Sequence, residues 1–132
     1  MYNVAVDHLE LFIFYCMFSA CNCNVLGSTS LVCDYVTGQC PCEPNVANYN
    51  QSNTASGTLD LQCNYCLANY FGIHNGNGCL PCSCSVNGSV TSQCDDFGNC
   101  TCKPTISSTK CAQCQIGFFG FSTAGCTYVF FR

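Results

Sequence analysis

The stretch Cys63-Asn-Tyr-Cys66-Leu-Ala-Asn-Tyr-Phe-Gly-Ile-His-Asn-Gly-Asn-Gly-Cys79-Leu-Pro-Cys82-Ser-Cys84 joins the end of one cysteine-rich block to the start of another. Each block contains a C-x-C step, a single Cys, a second C-x-C step, a C-x-x-C step and a final Cys. The two sets are Cys21, Cys23, Cys33, Cys40, Cys42, Cys63, Cys66 and Cys79, then Cys82, Cys84, Cys94, Cys100, Cys102, Cys111, Cys114 and Cys126. Because 16 of the 17 cysteines belong to this repeat, it decides the fold class.

The cysteine content also indicates the redox compartment. Seventeen cysteines in 132 residues are typical of a disulfide scaffold. Each repeat is too short to rely on an apolar core alone, and each native disulfide adds about 2–4 kcal/mol of stability. Disulfides persist in oxidising compartments, so the sequence predicts a secreted or cell-surface protein.

Charge excludes one class of partner. The chain has three basic residues, seven acidic residues and a net charge of −4. Binding to nucleic acid, heparin or anionic lipid requires a basic patch that this composition cannot supply. We therefore predict no nucleic-acid partner.

The repeat extends beyond the cysteines. Glycines recur at four matching places, which predicts backbone positions with positive φ or close chain approach. These pairs are Gly27 and Gly88, Gly38 and Gly98, Gly72 and Gly120, and Gly78 and Gly125. The blocks differ mainly in one polar loop, which has twenty residues between Cys42 and Cys63 but eight between Cys102 and Cys111.

Little regular secondary structure is expected. Cys33–Cys40 and Cys94–Cys100 each carry a glycine near a turn, which predicts two short hairpins. No amphipathic helical pattern occurs within 21–126, so loops should make up the rest.

These motifs resemble the laminin-type EGF-like module. The resemblance covers 21–126 and includes, besides the cysteines and glycines, the strings Thr37-Gly38-Gln39-Cys40 and Gly78-Cys79-Leu80-Pro81-Cys82. It implies a small disulfide-rich fold: two tandem modules with short β-hairpins and mostly loops, forming an elongated rod. The expected boundaries are 1–20 for a leader, 21–81 and 82–128 for the modules, and 129–132 for a tail.

Spacing alone cannot give the disulfide pairing, because eight cysteines allow 105 arrangements. The resemblance implies that the first cysteine of each module pairs with the third, the second with the fourth, the fifth with the sixth and the seventh with the eighth. The implied bonds are Cys21–Cys33, Cys23–Cys40, Cys42–Cys63, Cys66–Cys79, Cys82–Cys94, Cys84–Cys100, Cys102–Cys111 and Cys114–Cys126.

Two interpretations of residues 1–20 stay open: a signal peptide, or a leader from a mis-annotated gene start. Leu9–Phe18 has the length of a signal-peptide h-region, but no Lys or Arg precedes it. Cys16, outside the repeat, is removed with a signal, stays free or pairs between chains. Because Phe18 and Val129 stand where further modules would place a cysteine, we expect the chain to be part of a longer array.

Several other chemistries are disfavoured. C-x-C and C-x-x-C steps bind zinc in some proteins, but the ordered repeat argues against a thiolate cluster. No βαβ pattern surrounds the C-x-x-C steps, which disfavours redox exchange. A calcium-binding EGF module has an acidic cluster before its first cysteine, and none precedes Cys21 or Cys82. Neither His8 nor His74 lies in a catalytic motif, so we predict no enzyme activity, metal, cofactor or small-molecule substrate.

Two further groups of residues are candidates for defined roles. Three sequons predict N-glycosylation, at Asn50, Asn87 and Asn99. Aromatic pairs precede matching glycines and are predicted to pack between modules, although an adhesive surface is the alternative. These pairs are Tyr70 with Phe71 and Phe118 with Phe119.

The leading functional prediction is a structural spacer in an extracellular-matrix or cell-adhesion protein, with extracellular protein partners. The alternative is a binding module that engages a receptor or matrix partner through loop 43–62; a metal-binding or redox protein ranks third. The resemblance also raises nidogen binding, which laminin γ modules carry on an Asp-x-Asn-x-Val-type string. Neither 22–32 nor 83–93 contains that string, so no nidogen binding is predicted.

Overall fold

The computed structural model describes residues 21–51 and 53–128. The predictions on residues 1–20, including Cys16, on Ser52 and on the tail lie outside the described residues. Regular structure in the described part is limited to strands of two to six residues and one three-residue 3-10 helix, Ile73–Asn75. The strands are β1 (Tyr70–Phe71), β2 (Leu80–Pro81), β3 (Ser89–Cys94), β4 (Cys100–Cys102), β5 (Ile106–Ser107), β6 (Gln113–Cys114), β7 (Phe118–Ser122) and β8 (Gly125–Tyr128).

The strands pair only with a sequence neighbour. Four two-stranded antiparallel sheets form, in the order β1–β2, β3–β4, β5–β6 and β7–β8. Such small sheets bury little surface and need crosslinks to persist. This arrangement confirms the predicted small disulfide-rich fold with short hairpins and mostly loops.

The hairpin predicted at Cys94–Cys100 is present. Strands β3 and β4 pair with Ser89 opposite Cys102 and Cys94 opposite Cys100. Gly98 lies in the turn with a φ of 86° and donates its N–H to the Asp95 carbonyl at 3.1 Å.

The prediction of a hairpin at Cys33–Cys40 is wrong in part. A turn forms, since the N–H of Gly38 donates to the Asp34 carbonyl at 2.7 Å, but no strand forms on either side. The residue after Cys40 is Pro41, whereas Thr101 follows Cys100. Proline has no N–H to donate to a ladder, which explains the missing strand.

Eight disulfides crosslink the described chain, with Cα–Cα distances of 5.1–5.8 Å, inside the usual range. They join Cys21 to Cys33, Cys23 to Cys40, Cys42 to Cys63, Cys66 to Cys79, Cys82 to Cys94, Cys84 to Cys100, Cys102 to Cys111 and Cys114 to Cys126. Cystine sulfur forms much of the core, because seven of these cysteines are buried.

The chain divides into two compact units. The described part of the first runs to Leu67 and continues with Ile73–Cys79; the second comprises Ala68–Gly72 and the chain from Leu80 onward. Val46 is the largest fully buried side chain in the first unit, and Ile106 is buried in the second. Both residues stand four positions after the fifth cysteine of their repeat.

Matching residues make matching backbone hydrogen bonds in the two units. The Gly27 carbonyl accepts from the Glu43 N–H at 2.8 Å, as the Gly88 carbonyl does from Lys103. Isolated bridges in the first unit, such as Ser28 with Cys42, stand where the second unit has paired strands. The units therefore share one framework despite their different loop lengths.

Candidate interaction surface

The long loop of the first unit is an insertion at a defined place. Ile106 in the second unit matches Val46 in the first, and Ser108 matches Asp60. Between Ile106 and Ser108 the second unit has only Ser107. The first unit has residues 47–59 at the same place, flanked by Val46 and Asp60. The difference in length between the two loops is therefore confined to 47–59.

The insertion is anchored by its own backbone and side chains. Ala47 is buried and donates its N–H to the Tyr65 carbonyl at 2.8 Å. Thr54 is also buried and bridges to Leu67. The Thr54 hydroxyl accepts from the Thr58 N–H at 3.2 Å, which closes a second turn. Loop 43–62 is thus partly packed against its own unit.

Gln39 connects the insertion to the turn that precedes it. Its Oε1 accepts from the Tyr49 N–H at 2.6 Å, and its Nε2 donates to the Leu61 carbonyl at 3.2 Å. A concavity of about 520 Å³ lies beside this side chain. Its lining consists of Val32, Cys33, Asp34, Thr37, Gln39, Cys40, Pro41 and Asn50.

Negative charge lies at one wall of the concavity. The backbone N–H groups of Thr37 and Val36 donate to the Asp34 carboxylate and lower the pKa of that group. Asp95 holds the matched place in the second unit, and there the N–H groups of Asn99 and Phe97 lower its pKa. Both carboxylates are therefore ionised at neutral pH.

A buried carboxylate caps the C-x-x-C turn of the first unit. Asp60 Oδ1 accepts from the Gln62 N–H at 2.9 Å, and Oδ2 accepts from the N–H groups of Asn64 and, at 2.9 Å, Tyr65. The matched residue in the second unit is Ser108, whose hydroxyl accepts from the Ala112 N–H at 3.0 Å. One side chain in each unit thus satisfies backbone donors that would otherwise lack a partner.

The first aromatic pair lies in the second unit. A Cβ added to Gly98 would approach the Phe71 ring within 2.7 Å, so the ring lies directly on that glycine. Lys110 Nζ lies 5.1 Å from the Phe71 ring centroid and donates to the carbonyls of Cys82 at 2.7 Å and Gly98 at 2.8 Å. Tyr70 accompanies Phe71 in β1. Packing of this pair between modules stays a prediction.

The second aromatic pair lies on the β7–β8 hairpin. Phe118 contacts Tyr128 edge to face, with ring centroids 5.4 Å apart. Phe119 is 55% exposed. Packing of this pair between modules stays a prediction.

The three sequon asparagines, Asn50, Asn87 and Asn99, all have exposed side chains. Their glycosylation stays a prediction. The hydroxyl-bearing residues of these sequons differ, however, because Thr101 is exposed whereas Ser89 is buried.

Two matched serines carry buried hydroxyls without a hydrogen-bond partner among the described residues. They are Ser28 and Ser89. Burying an unpaired hydroxyl costs about 1–3 kcal/mol, so Ser28→Ala and Ser89→Ala should each raise the free energy of unfolding by about 1 kcal/mol. Ser85→Ala is the opposite control, because it removes the acceptor of the Gly88 N–H. Urea unfolding with disulfides intact measures all three, and a loss of stability in both Ser28→Ala and Ser89→Ala would contradict the assignment.

Sequence reasoning assigned no role to three polar residues, Gln39 and Asp60 in the first unit and Lys110 in the second. A signal for Asp60 exists, since both it and Ser108 stand three residues before the sixth cysteine and both are cap-forming types. Gln39 and Lys110 lack such a signal, because their partners are main-chain groups whose positions are set by tertiary packing.

The described residues contain no group of three or more His, Cys, Asp or Glu arranged to hold a metal ion. Within 21–51 and 53–128 we also find no helix with the length and apolar character of a membrane span.

Comparison with known proteins gives a consistent result. The model of the family described as Laminin EGF domain matches residues 21–50 and 82–126. Laminin subunit gamma-1 of Danio rerio is 44% identical over 73 residues, which are 55% of this chain and 5% of that protein. Usherin of Homo sapiens is 34% identical over 124 residues, 91% of this chain and 2% of that protein. Laminin subunit alpha-1 of Mus musculus is 41% identical over 77 residues, 58% of this chain and 2% of that protein. The chain thus spans a twentieth or less of these relatives.

Proposed function

Because this chain belongs to the laminin EGF domain family, we propose that it is a non-enzymatic spacer whose disulfides limit how far an extracellular-matrix or adhesion protein extends under load. Laminin EGF domains are extracellular, which agrees with eight disulfides in the described residues. The same proposal divides the chain into two modules, 21–81 and 82–128.

The observation that carries the proposal is the shortness of the covalent path through the bridges. From Cys21 to Cys126 the path can cross six disulfides, with Cα–Cα distances of 5.1–5.8 Å, and few peptide units between them. At about 3.6 Å per extended peptide unit, this path is roughly 95 Å long. The reduced chain between the same residues extends to roughly 380 Å. The disulfides therefore reduce the maximum length about fourfold.

Single-molecule force spectroscopy tests the spacer role. When the oxidised chain is pulled from its two ends, the distance between Cys21 and Cys126 should not exceed roughly 95 Å. The same molecules in reductant should lengthen towards roughly 380 Å. A long unfolding step in the oxidised chain would overturn the proposal, since it would show that the bridges do not carry the load.

A second candidate function is partner binding through loop 43–62. Two large side chains of the insertion are exposed, Tyr49 at 52% and Leu59 at 63%, although its backbone is anchored. Exposed aromatic and aliphatic groups on a rigid support are suited to protein recognition. The adjoining concavity with the Asp34 carboxylate would favour a partner with a basic side chain.

Cell attachment to coated surfaces separates the two candidates. The informative variant replaces residues 47–59 with one serine, as at Ser107, and a matched control, Tyr49→Ser with Leu59→Ser, keeps the loop length. A spacer predicts equal attachment to wild type and both variants. Attachment that both variants lose would favour the binding module over the pure spacer.

A further inference from the structure

The sequon at 87–89 combines an exposed acceptor with a buried recognition group. Asn87 is exposed, but Ser89 is only 7% exposed and its hydroxyl oxygen is fully buried. A sequon is recognised through both the asparagine and the hydroxyl two residues later. In the folded second unit, therefore, an enzyme can reach only half of this signal.

The backbone of the sequon is fixed by the fold as well. The N–H of Gly88 donates to the Ser85 hydroxyl at 3.1 Å, and the Gly88 carbonyl accepts from Lys103 at 2.8 Å. Ser89 is the first residue of β3 and pairs with Cys102. The backbone that carries this hydroxyl is therefore held in the β3–β4 pair.

Packing beneath the sequon adds to this barrier. A Cβ on Gly88 would lie 1.9 Å from the Cys111 carbonyl oxygen, so the chain at Gly88 rests directly on the backbone beside the Cys102–Cys111 bridge. The Cys84–Cys100 bridge closes the same unit. Both bridges therefore hold the backbone around the sequon in place, with the Ser89 hydroxyl buried.

We propose that Asn87 is an N-glycan acceptor only until the second unit folds, so that closure of its disulfides ends the modification. In the transfer, Asn87 Nδ2 bonds to the anomeric carbon of a lipid-linked oligosaccharide pyrophosphate. The bond from that carbon to the pyrophosphate oxygen breaks, and the amide loses one proton as the lipid pyrophosphate leaves. This inference depends on an extracellular destination and is independent of the spacer role.

The folded unit can carry the glycan once it is attached, because Asn87 itself is exposed. The third sequon provides a contrast, since Thr101, which carries its hydroxyl, is an exposed residue. Burial of the hydroxyl thus distinguishes Asn87 from Asn99 within one hairpin.

The test uses the full chain carrying Asn50→Gln and Asn99→Gln, so that one sequon remains. Native oxidised chain, verified by thiol titration, and fully reduced chain are incubated with endoplasmic-reticulum oligosaccharyltransferase and lipid-linked oligosaccharide. Glycan release in water labelled with oxygen-18, followed by mass spectrometry, measures the occupancy of Asn87. The Asn87→Gln variant gives the background.

We expect the reduced chain to be modified and the native chain to show at least about tenfold lower occupancy. Equal occupancy of the two chains would overturn the proposal, because it would show that the buried hydroxyl does not limit access. Absence of modification in both chains would overturn it too, since Asn87 would then not be an acceptor. Loss of the force-extension limit would leave this inference unaffected, so the two proposals fail separately.

Discussion

Gly27→Ala is expected to prevent the first unit from folding. A Cβ at this position would lie 1.9 Å from the Cys63 carbonyl oxygen, far inside any tolerated contact. That carbonyl cannot retreat, because Cys63 is buried and bonded to Cys42 and because the neighbouring Gln62 carbonyl accepts from the Asn24 N–H at 2.9 Å. We expect a loss of at least about 4 kcal/mol, the range of the most severe single substitutions.

The second unit offers a replicate of this experiment and the first unit a control. Gly88→Ala would place a Cβ 1.9 Å from the Cys111 carbonyl oxygen and should affect only the second unit. Gly57 has a positive φ but open space around it, so Gly57→Ala should cost only about 1–2 kcal/mol from backbone strain. Disulfide mapping and thiol titration of secreted protein measure the outcome. Native bridges in both units of Gly27→Ala would contradict the predicted collision.

Asp60→Ala is expected to destabilise the first unit by about 3 kcal/mol, because it removes the buried acceptor of three part-buried backbone N–H groups. The Asp60 carboxyl group accepts through both of its oxygens, which a side chain with one oxygen cannot reproduce. These N–H groups belong to the turn that carries Cys63 and Cys66. Loss of the Asp60 side chain should therefore also slow formation of the disulfides made by these two cysteines. Urea midpoints of the oxidised protein measure the stability.

A substitution that copies the matched residue of the second unit tests this role of Asp60. Asp60→Ser introduces the residue found at Ser108, where the hydroxyl accepts one N–H, that of Ala112. We expect it to recover part of the loss, about 1 kcal/mol relative to Asp60→Ala. Should Asp60→Ser be no more stable than Asp60→Ala, the carboxylate would not be acting as a turn cap.

Parts of this fold follow directly from the repeat. The matched glycines were expected to have positive φ or to allow close approach, and Gly27 and Gly88 show the latter. Family membership is confirmed by the matches over 21–50 and 82–126. The disulfide pairing came from the resemblance, because spacing leaves many arrangements open.

Other parts depend on contacts that spacing does not encode. The hairpin expected at Cys33–Cys40 lacks strands because of Pro41, a local feature that inspection of donors would have detected. The place of Phe71 on Gly98, by contrast, joins residues that are distant along the chain and depends on how the loop after Cys66 packs. The cap at Asp60 could have been found from its spacing, because Asp60 and Ser108 both stand three residues before the sixth cysteine of their repeat.

The membership of β1 in the second unit has a consequence for any attempt to divide the protein. Residues 68–72 cluster with that unit, yet they lie inside the covalent ring closed by the Cys66–Cys79 bridge. A protease cut at Leu80-Pro81, or a gene fragment that begins at Cys82, would leave Tyr70 and Phe71 behind with the first unit. The fragment would keep its four disulfides while exposing the bare backbone of Gly98. A half-protein can thus have every native bridge and still lack a piece of its own fold.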